Sequence, residues 1–525
     1  MTAETKREIE RKYEATERTG LPDLTRARGV SSVLDQGVAE LDAVYYDTAD
    51  LRLAAGSLTL RRRTGGADEG WHLKIPVSSG IRDEIRAPLA DTLPESLAAL
   101  LRSRVRDEDV VPVVRLRSAR KVQHLLDDSG CLLAEVSVDT VRAERLPKGP
   151  DASWTEIEVE LADDADPSVL DAVEKRLKKA GIRPSSAPSK LARALEETSE
   201  QGEPAASATP AAPAGHAARA ARAADADLPD EDTAGGRVLT YAREQIEAII
   251  ALDPAVRRDL PDAVHQMRVA CRRLRSAFKT YRKVLDRTVT DPVGDELKWL
   301  AGELGLARDQ EVLAERLRTR VDAIPDTLVL GPVHARLQVW DTATSADARR
   351  KALAALDSDR YLALLGTLDA LLADPPLRKA AADDPGPVLS RAVLKDYDRL
   401  ARRVDHALAH APGHDRDLAM HEARKAAKRT RYAADAARPT LGRPAKRFAK
   451  RIKAVQSLLG DHQDSVVARE ALRGLAIQAH AAGESAFTWG LLHGQEESAG
   501  AVREREFPEV WARASAPELR AALTH

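Results

Sequence analysis

Up to about residue 197 the chain alternates between apolar and polar residues. Eight short segments do so, "EIERKY" from Glu8, "AVYYDT", "LTLRRR", "WHLKIP", "IRDEIRA", "VVRLR", "LLAEVSVD" and "WTEIEVEL", separated by Gly, Pro and Asp clusters. A period of two sends successive side chains to opposite faces of a strand, so this stretch predicts a many-stranded antiparallel sheet or barrel. Residues 167–180, "PSVLDAVEKRLKKA", break the pattern: Val169, Leu170, Val173 and Leu177 recur at three- and four-residue spacing and predict a helix bracing the strands. Residues 198–236 collapse into Ala, Pro, Gly, Ser and acidic residues, which cannot bury a core and predict a flexible linker.

Beyond the linker, over 237–520, the period becomes helical. "YAREQIEAIIAL", "AVHQMRVACRRLRSAFKTYRKVL", "LKWLAGELGLARD", "LSRAVLKDYDRLARRVDHAL" and "AKRFAKRIKAVQSLLGDHQD" read as amphipathic helices punctuated by Pro and Gly, with no strand pattern among them. This half is predicted to be all-α. It also repeats: "HQMRVACRRLRSA" from His265 returns as "HEARKAAKRTRYA" from His421, and "LGLARDQEV" around Asp309 returns as "LLGDHQDSV" around Asp464. Nearly equal offsets indicate a duplicated helical unit, with two similar halves about a shared axis.

Composition sharpens this picture in a few places. At 525 residues the chain exceeds one ordinary core. Its 81 Lys+Arg against 83 Asp+Glu leave no net charge to attract a polyanion, so any such site must come from local clustering. Cys131 and Cys271 form no disulfide framework, and neither an apolar leader nor a run of about eighteen apolar residues is present, so a cytoplasmic protein without a membrane span is expected. Aromatic residues make up only 3%, which argues against reading single-stranded nucleic acid by base stacking.

Clustering is present in both halves. On one face of successive strands come Glu8, Glu10 and Lys12; Arg61 and Arg63; His72 and Lys74; Arg82, Glu84 and Arg86; Arg115 and Arg117; Glu135 and Asp139; and Glu156, Glu158 and Glu160. The opposite faces keep Leu, Val and Ile for burial, so the set predicts a closed barrel with a charged interior. Such a lumen is costly unless its charges serve each other or a ligand. Carboxylates lie toward both ends of the segment and basic residues in the middle. Hard cations such as Mg²⁺ or Mn²⁺ take carboxylate oxygens, and Arg and Lys match phosphate oxygens, so the combination suits a metal-bound polyphosphate.

The ordered set "EIERK", "YYDTADLRLAAGSLTLRRR", "WHLKIP" and "EIEVEL" resembles the CYTH domain, the triphosphate tunnel metalloenzyme fold, over about residues 5–197. The resemblance implies an α+β unit built on an eight-stranded antiparallel tunnel that hydrolyses or cyclises triphosphates. It also implies that Glu8 and Glu10 bind metal, that Lys12 meets phosphate, and that Arg61, Arg63, Lys74, Arg115 and Arg117 line the phosphate path. Asp139 with two or three of Glu156, Glu158 and Glu160 would complete the metal site, Lys190 would close the tunnel, and Glu84 would be a further acidic lumen position. The expected reaction is metal-assisted transfer of a phosphoryl group to water. Few aromatics lie near the strands, which favours inorganic tripolyphosphate over a nucleotide. An adenylate cyclase, a thiamine or nucleoside triphosphatase, and a scaffold with an inactive tunnel are the alternatives.

In the helical half, Val264, Met267, Cys271, Leu274 and Phe278 form an apolar stripe beside a basic one of His265, Arg268, Arg272, Arg275 and Lys279, with Arg273 adjoining it. The second copy carries His421, Arg424, Lys425, Lys428, Arg429 and Arg431, and a third helix adds Lys446, Lys450 and Lys453. Duplicated basic faces repel themselves and suggest a polyanion groove. These segments resemble the CHAD domain, the conserved histidine α-helical domain, over about residues 235–520. That resemblance implies two pseudo-symmetric helical bundles that bind long-chain inorganic polyphosphate, with association with polyphosphate granules as a corollary. His265 and His421 are read as phosphate-contacting, and Asp309 and Asp464 as holding basic side chains in place. Nucleic acid is the weaker polyanion candidate.

Overall fold

A computed structural model of the chain describes residues 4–66, 68–199 and 229–524. The chain separates into two compact units, Met1–Ala224 and Asp225–His525. The first holds eight strands: β1 (Glu4–Ala15), β2 (Ser32–Asp47), β3 (Thr59–Thr64), β4 (Gly70–Ser78), β5 (Ile81–Ala87), β6 (Val111–Leu126), β7 (Leu132–Arg145) and β8 (Asp151–Leu161). They close into an antiparallel barrel in the order β1-β5-β4-β3-β2-β6-β7-β8. Among the described residues four α-helices accompany them, α1 (Arg52–Ala55), α2 (Glu95–Val105), α3 (Ser168–Lys179) and α4 (Lys190–Glu197).

Alternation explains why this barrel has its core outside and its charges inside. On β8, Ile157 and Val159 face outward and are fully buried with Val136, Val173 and Leu177, beneath α3. On the far side Leu60, Leu73 and Ile85 are covered by Leu97 and Leu101 of α2. Burying such apolar faces stabilises by about 25 cal/mol per Å² removed from water. The intervening residues then have no direction left but the lumen.

The long β2–β6 pairing runs from Ser32↔Leu126 to Asp47↔Val111 and corrects one expectation. Arg115 and Arg117 do share a face, but it is the outer one. Tyr45 pairs with Val114 and Ala39 with Arg120, and Tyr45, Ala39 and Arg120 line the interior, so odd-numbered residues of β6 point away from it. Arg115 instead binds Asp42 at 2.9 Å, with Arg117 3.7 Å from the same carboxylate.

The second unit contains ten helices among the described residues: α5 (Ala234–Arg257), α6 (Ala263–Thr280), α7 (Arg287–Asp322), α8 (Val333–Asp357), α9 (Asp359–Ala373), α10 (Pro385–Ala409), α11 (His414–Ala436), α12 (Arg438–Ala481), α13 (Phe487–Ala514) and α14 (Pro517–Ala521). Helices α5 to α8 pack in succession, α10 to α13 do the same, and α6 packs on α11 to join the two series. This is the predicted pair of pseudo-symmetric bundles.

Of the expected linker, residues 200–228 lie outside the described residues. Its far end is helical: Thr233 caps α5 by accepting from the Gly236 amide at 3.1 Å, so Gly235 and Gly236 form the first turn.

Candidate functional site

Lys6, Glu8, Glu10 and Lys12 project from β1 into a lumen cavity of about 440 Å³. Arg61 and Arg63 reach it from β3, His72 and Lys74 from β4, Arg82 and Arg86 from β5, Arg120 from β6, and Glu158 and Glu160 from β8. Lys190, the first residue of α4, closes on it. Ser189 caps that short helix through the Ala192 amide at 3.0 Å, and Leu191 and Ala194 bury among Val114, Leu116 and Ala143. Lys190 is thereby fixed over the lumen.

The charges sort into two groups. In the first, Glu84 is fully buried among cations: it accepts from His72 Nδ1 at 2.9 Å and Arg86 Nε at 2.5 Å, and pairs with Arg61 at 3.3 Å and Lys74 at 3.8 Å. Burial alone would raise its pKa, but His72, Lys74 and Arg61 outweigh that and hold the carboxyl far below its usual range. Glu84 thus organises the basic wall. His72 is pushed down to about 4, chiefly by burial, and stays neutral as a donor to Glu84. Arg63 is pushed down to about 9 by burial and by Arg61 and Arg120, a sign of how densely positive this wall is. Lys74 also reaches Glu8 at 2.6 Å.

The second group is acidic. Oxygens of Asp139, Glu156 and Glu158 converge within 4.8 Å of one another. Lys190 Nζ lies 2.9, 2.7 and 2.6 Å from the three carboxylates, and Arg120 donates to Asp139 at 2.8 Å and to Glu158 at 2.7 Å. Lys12 bridges Glu10 and Glu158. Burial would raise the Glu158 pKa, yet Lys12, Lys190 and Arg120 hold it well below the usual range. Glu8 goes the other way, raised by burial. Glu160 is taken by Lys6 at 2.7 Å, near the solvent-exposed edge.

Of the six carboxylates expected to bind metal, then, Asp139, Glu156 and Glu158 cluster under Lys190, while Glu8, Glu10, Glu158 and Glu160 face the cavity itself. The cavity-facing glutamates offer only carboxylate oxygens, which fits a hard, oxygen-seeking divalent cation. Arg120 was missed by sequence reasoning. Its parity, opposite to that of Arg115 and Arg117, was visible, but nothing local said which parity faces inward.

In the helical unit, Arg268 of α6 donates to Asp309 of α7 at 3.0 Å and to the Gly305 carbonyl at 3.2 Å. Its counterpart Arg424 on α11 lies 3.9 Å from Asp464 of α12. The glycines of the two "LG" segments make room for this: a Cβ on Gly305 would fall 2.9 Å from Arg268 Nη2, and one on Gly460 would touch Arg424 at 3.6 Å. The sequence signal was there, in the shared "LG" before each aspartate. Lys428 sits beside Arg424 of its own copy and near Arg272 and Arg268 of the other, where burial and these guanidinia push its pKa down to about 7. Burial also lowers His265 and His421.

Not every predicted basic residue joins this set. Arg273 lies over the Tyr432 ring at 5.8 Å, as Arg431 does at 4.7 Å. Arg429 is bound by Asp396 at 3.0 Å and by the Lys279 carbonyl at 2.7 Å, and with Lys279 it lines a shallow pocket beside Asp291 and Asp295. Lys425 pairs with Glu422 one turn away at 2.7 Å. Arg275 is half-buried, and Lys446, Lys450 and Lys453 are exposed along α12. The helical period put these side chains near the basic stripe, and neighbouring helices decided which ones remained on it.

Comparison with known proteins agrees with both halves. The CYTH domain family model matches residues 6–195, and the CHAD domain family model matches residues 240–473. An uncharacterized protein of Mycobacterium tuberculosis, in strains CDC 1551 and H37Rv, is 38% identical over 505 residues, covering 93% of this chain and 92% of the relative. The chain belongs to the CYTH–CHAD family.

Among solved structures, PptA from Streptomyces chartreusis is 24% identical over 53% of this chain and 99% of its own, with a TM-score of 0.46. The CHAD domain from the plant Ricinus communis is 25% identical over 56% of this chain and 93% of its own, with a TM-score of 0.39. CYTH domains are typically metal-dependent phosphoryl-transfer enzymes, triphosphatases or cyclases. No helix among the described residues of this CYTH–CHAD protein is long and apolar enough to cross a membrane.

Proposed function

We propose that the tunnel hydrolyses inorganic tripolyphosphate, or a closely related triphosphate, with Mg²⁺ or Mn²⁺, and that the helical unit holds inorganic polyphosphate. The observation that carries this reading is the cavity of about 440 Å³ with Arg61, Arg63, Lys74 and Arg86 on one side and Glu8, Glu10, Glu158 and Glu160 on the other. Arg61 and Arg63 offer forked donors to phosphate oxygens, and Lys12 and Lys74 are released from their carboxylates as the anion enters. The bound cation would be held by the cavity-facing glutamates and would neutralise negative charge on the phosphate. Water attacks the terminal phosphorus, the P–O bond to the bridging oxygen breaks, and the water proton passes to solvent or a glutamate.

Tyr45 is the single Phe, Tyr or Trp ring among the described lining residues, which supports an inorganic substrate over one carrying a purine. Covalent linkage to a polyphosphate-holding unit would keep chain ends near the tunnel. A phosphate-release screen over tripolyphosphate, long-chain polyphosphate, ATP and thiamine triphosphate, with each metal, tests the reading. Orthophosphate from tripolyphosphate, lost in Glu10→Gln, is expected. Cyclic AMP from ATP without orthophosphate would make the protein a cyclase, and polyphosphate binding with no turnover of any substrate would make it a scaffold.

A further inference from the structure

Three helices of the second unit bring Asp417 (α11), His462 (α12) and Glu504 (α13) together. The His462 side chain is only 1% exposed, and its Nε2 lies 3.2 Å from Asp417 Oδ1 and 3.5 Å from Glu504 Oε1. Neither contact has hydrogen-bond geometry, so this buried nitrogen is aimed between the two oxygens and bonded to neither. All three candidate donor atoms lie within 4.8 Å of one another.

The spacing suits a metal. Donors about 2.0–2.2 Å from a tetrahedral Zn²⁺ stand about 3.3–3.6 Å from each other, which covers the 3.5 Å separation and is within 0.1 Å of the 3.2 Å one. The second oxygen of Asp417 is held from behind, accepting from Arg469 at 3.0 Å, and that of Glu504 lies 3.1 Å from Arg416 Nε as an ion pair without hydrogen-bond geometry. Carboxylate ligands in metal centres are fixed in this manner. Asp417 and Glu504 are 17% and 14% exposed, which leaves a path for an ion and a water to complete the coordination.

The cluster is also not part of the duplicated basic face. Aligning "LGLARD" with "LGDHQD" sets Ala307 against His462, so the first copy lacks the histidine. We infer that Asp417, His462 and Glu504 form a binding site for a divalent cation of the zinc class, which ties α11, α12 and α13 together.

The test uses the full chain, stripped with chelator and titrated with Co²⁺, then with Zn²⁺. A site with imidazole and two carboxylates gives intense tetrahedral Co²⁺ bands in the visible, whereas the all-oxygen tunnel favours weakly absorbing six-coordinate Co²⁺. The bands should appear in the wild type and in Glu10→Gln, be displaced by Zn²⁺, and vanish in His462→Gln and Asp417→Asn. Arg469→Ala, which keeps all three ligands, should weaken Co²⁺ binding by about 10–100-fold while restoring the same bands at saturation. If His462→Gln fails to fold by circular dichroism, Asp417→Asn and Arg469→Ala decide. Absence of bands together with no retained zinc after dialysis, or bands that survive in Asp417→Asn, would overturn the site and leave a plain histidine–carboxylate ion pair.

Discussion

Arg115 and Arg120 stand five positions apart on one strand and have opposite fates. Arg120 is held between Asp139 and Glu158 inside the barrel, with a side chain 19% exposed, while Arg115 meets Asp42 on the outer wall at 38% exposure. Removing one partner of a buried pair costs about 3–5 kcal/mol, whereas an exposed pair contributes about 0–1 kcal/mol. Arg120→Ala should therefore destabilise strongly in chemical denaturation and reduce triphosphate turnover, and Arg115→Ala should leave both nearly unchanged. Equal effects from the two variants would contradict the register of β2 and β6. Arg61→Ala, which removes a phosphate-facing fork without emptying a carboxylate cluster, should lower kcat by about 10²–10³-fold in a phosphate-release assay.

Lys428 supplies a pH dependence at the same scale. Its folded pKa is pushed down to about 7, below the unfolded value of about 10.4, so between these limits the unfolded chain keeps a proton that the folded chain gives up. Its charge therefore opposes folding below pH 7, and that cost fades as pH rises toward about 10. A polyanion favours the protonated form, so binding takes up a proton and affinity falls as pH rises from 7 to about 9. Calorimetry in buffers of different ionisation enthalpy reads the proton directly. Lys428→Arg, charged throughout, should flatten the profile.

At the scale of elements, α6 separates its two jobs by face. Met267, Cys271, Leu274 and Phe278 are fully buried, and Arg268 and Arg272 are half-buried beside Lys428. Leu274→Ala should cost about 2–5 kcal/mol of stability with little effect on polyphosphate affinity in the folded fraction. Arg272→Ala should do the reverse, shifting stability by under about 0.5 kcal/mol while weakening binding and flattening its salt dependence. This division was legible because helix period and residue type coincide over eighteen residues. The strands were legible only in part. "AVYYDT" covers only the last residues of β2 and "VVRLR" only the first part of β6, strands that span 16 residues each, and the missing length of β2 pairs with that of β6 across three intervening strands and a register shift between Asp35 and Gly37. Local alternation has no access to a pairing so distant in sequence.

For the whole molecule, each unit buries its own apolar clusters, the barrel under α2 and α3 and the helices among themselves. Residues 1–199 and 229–525 made as separate chains should each fold, the first retaining tripolyphosphate turnover and the second retaining polyphosphate binding. Turnover of long chains at limiting concentration should fall when the two are merely mixed, a comparison of initial rates that isolates the effect of linkage. The amino-acid sequence by itself determined the two architectures, the duplication and most of the charged residues, because period, composition and internal repeats are local properties of a chain. Only tertiary structure decided that Arg120 and not Arg115 or Arg117 faces the lumen, that Lys190 sits over Asp139, Glu156 and Glu158, and that Asp417, His462 and Glu504 meet. Those outcomes depend on which face of a strand is covered and on which helices pack side by side, and both are set by contacts between residues far apart in sequence.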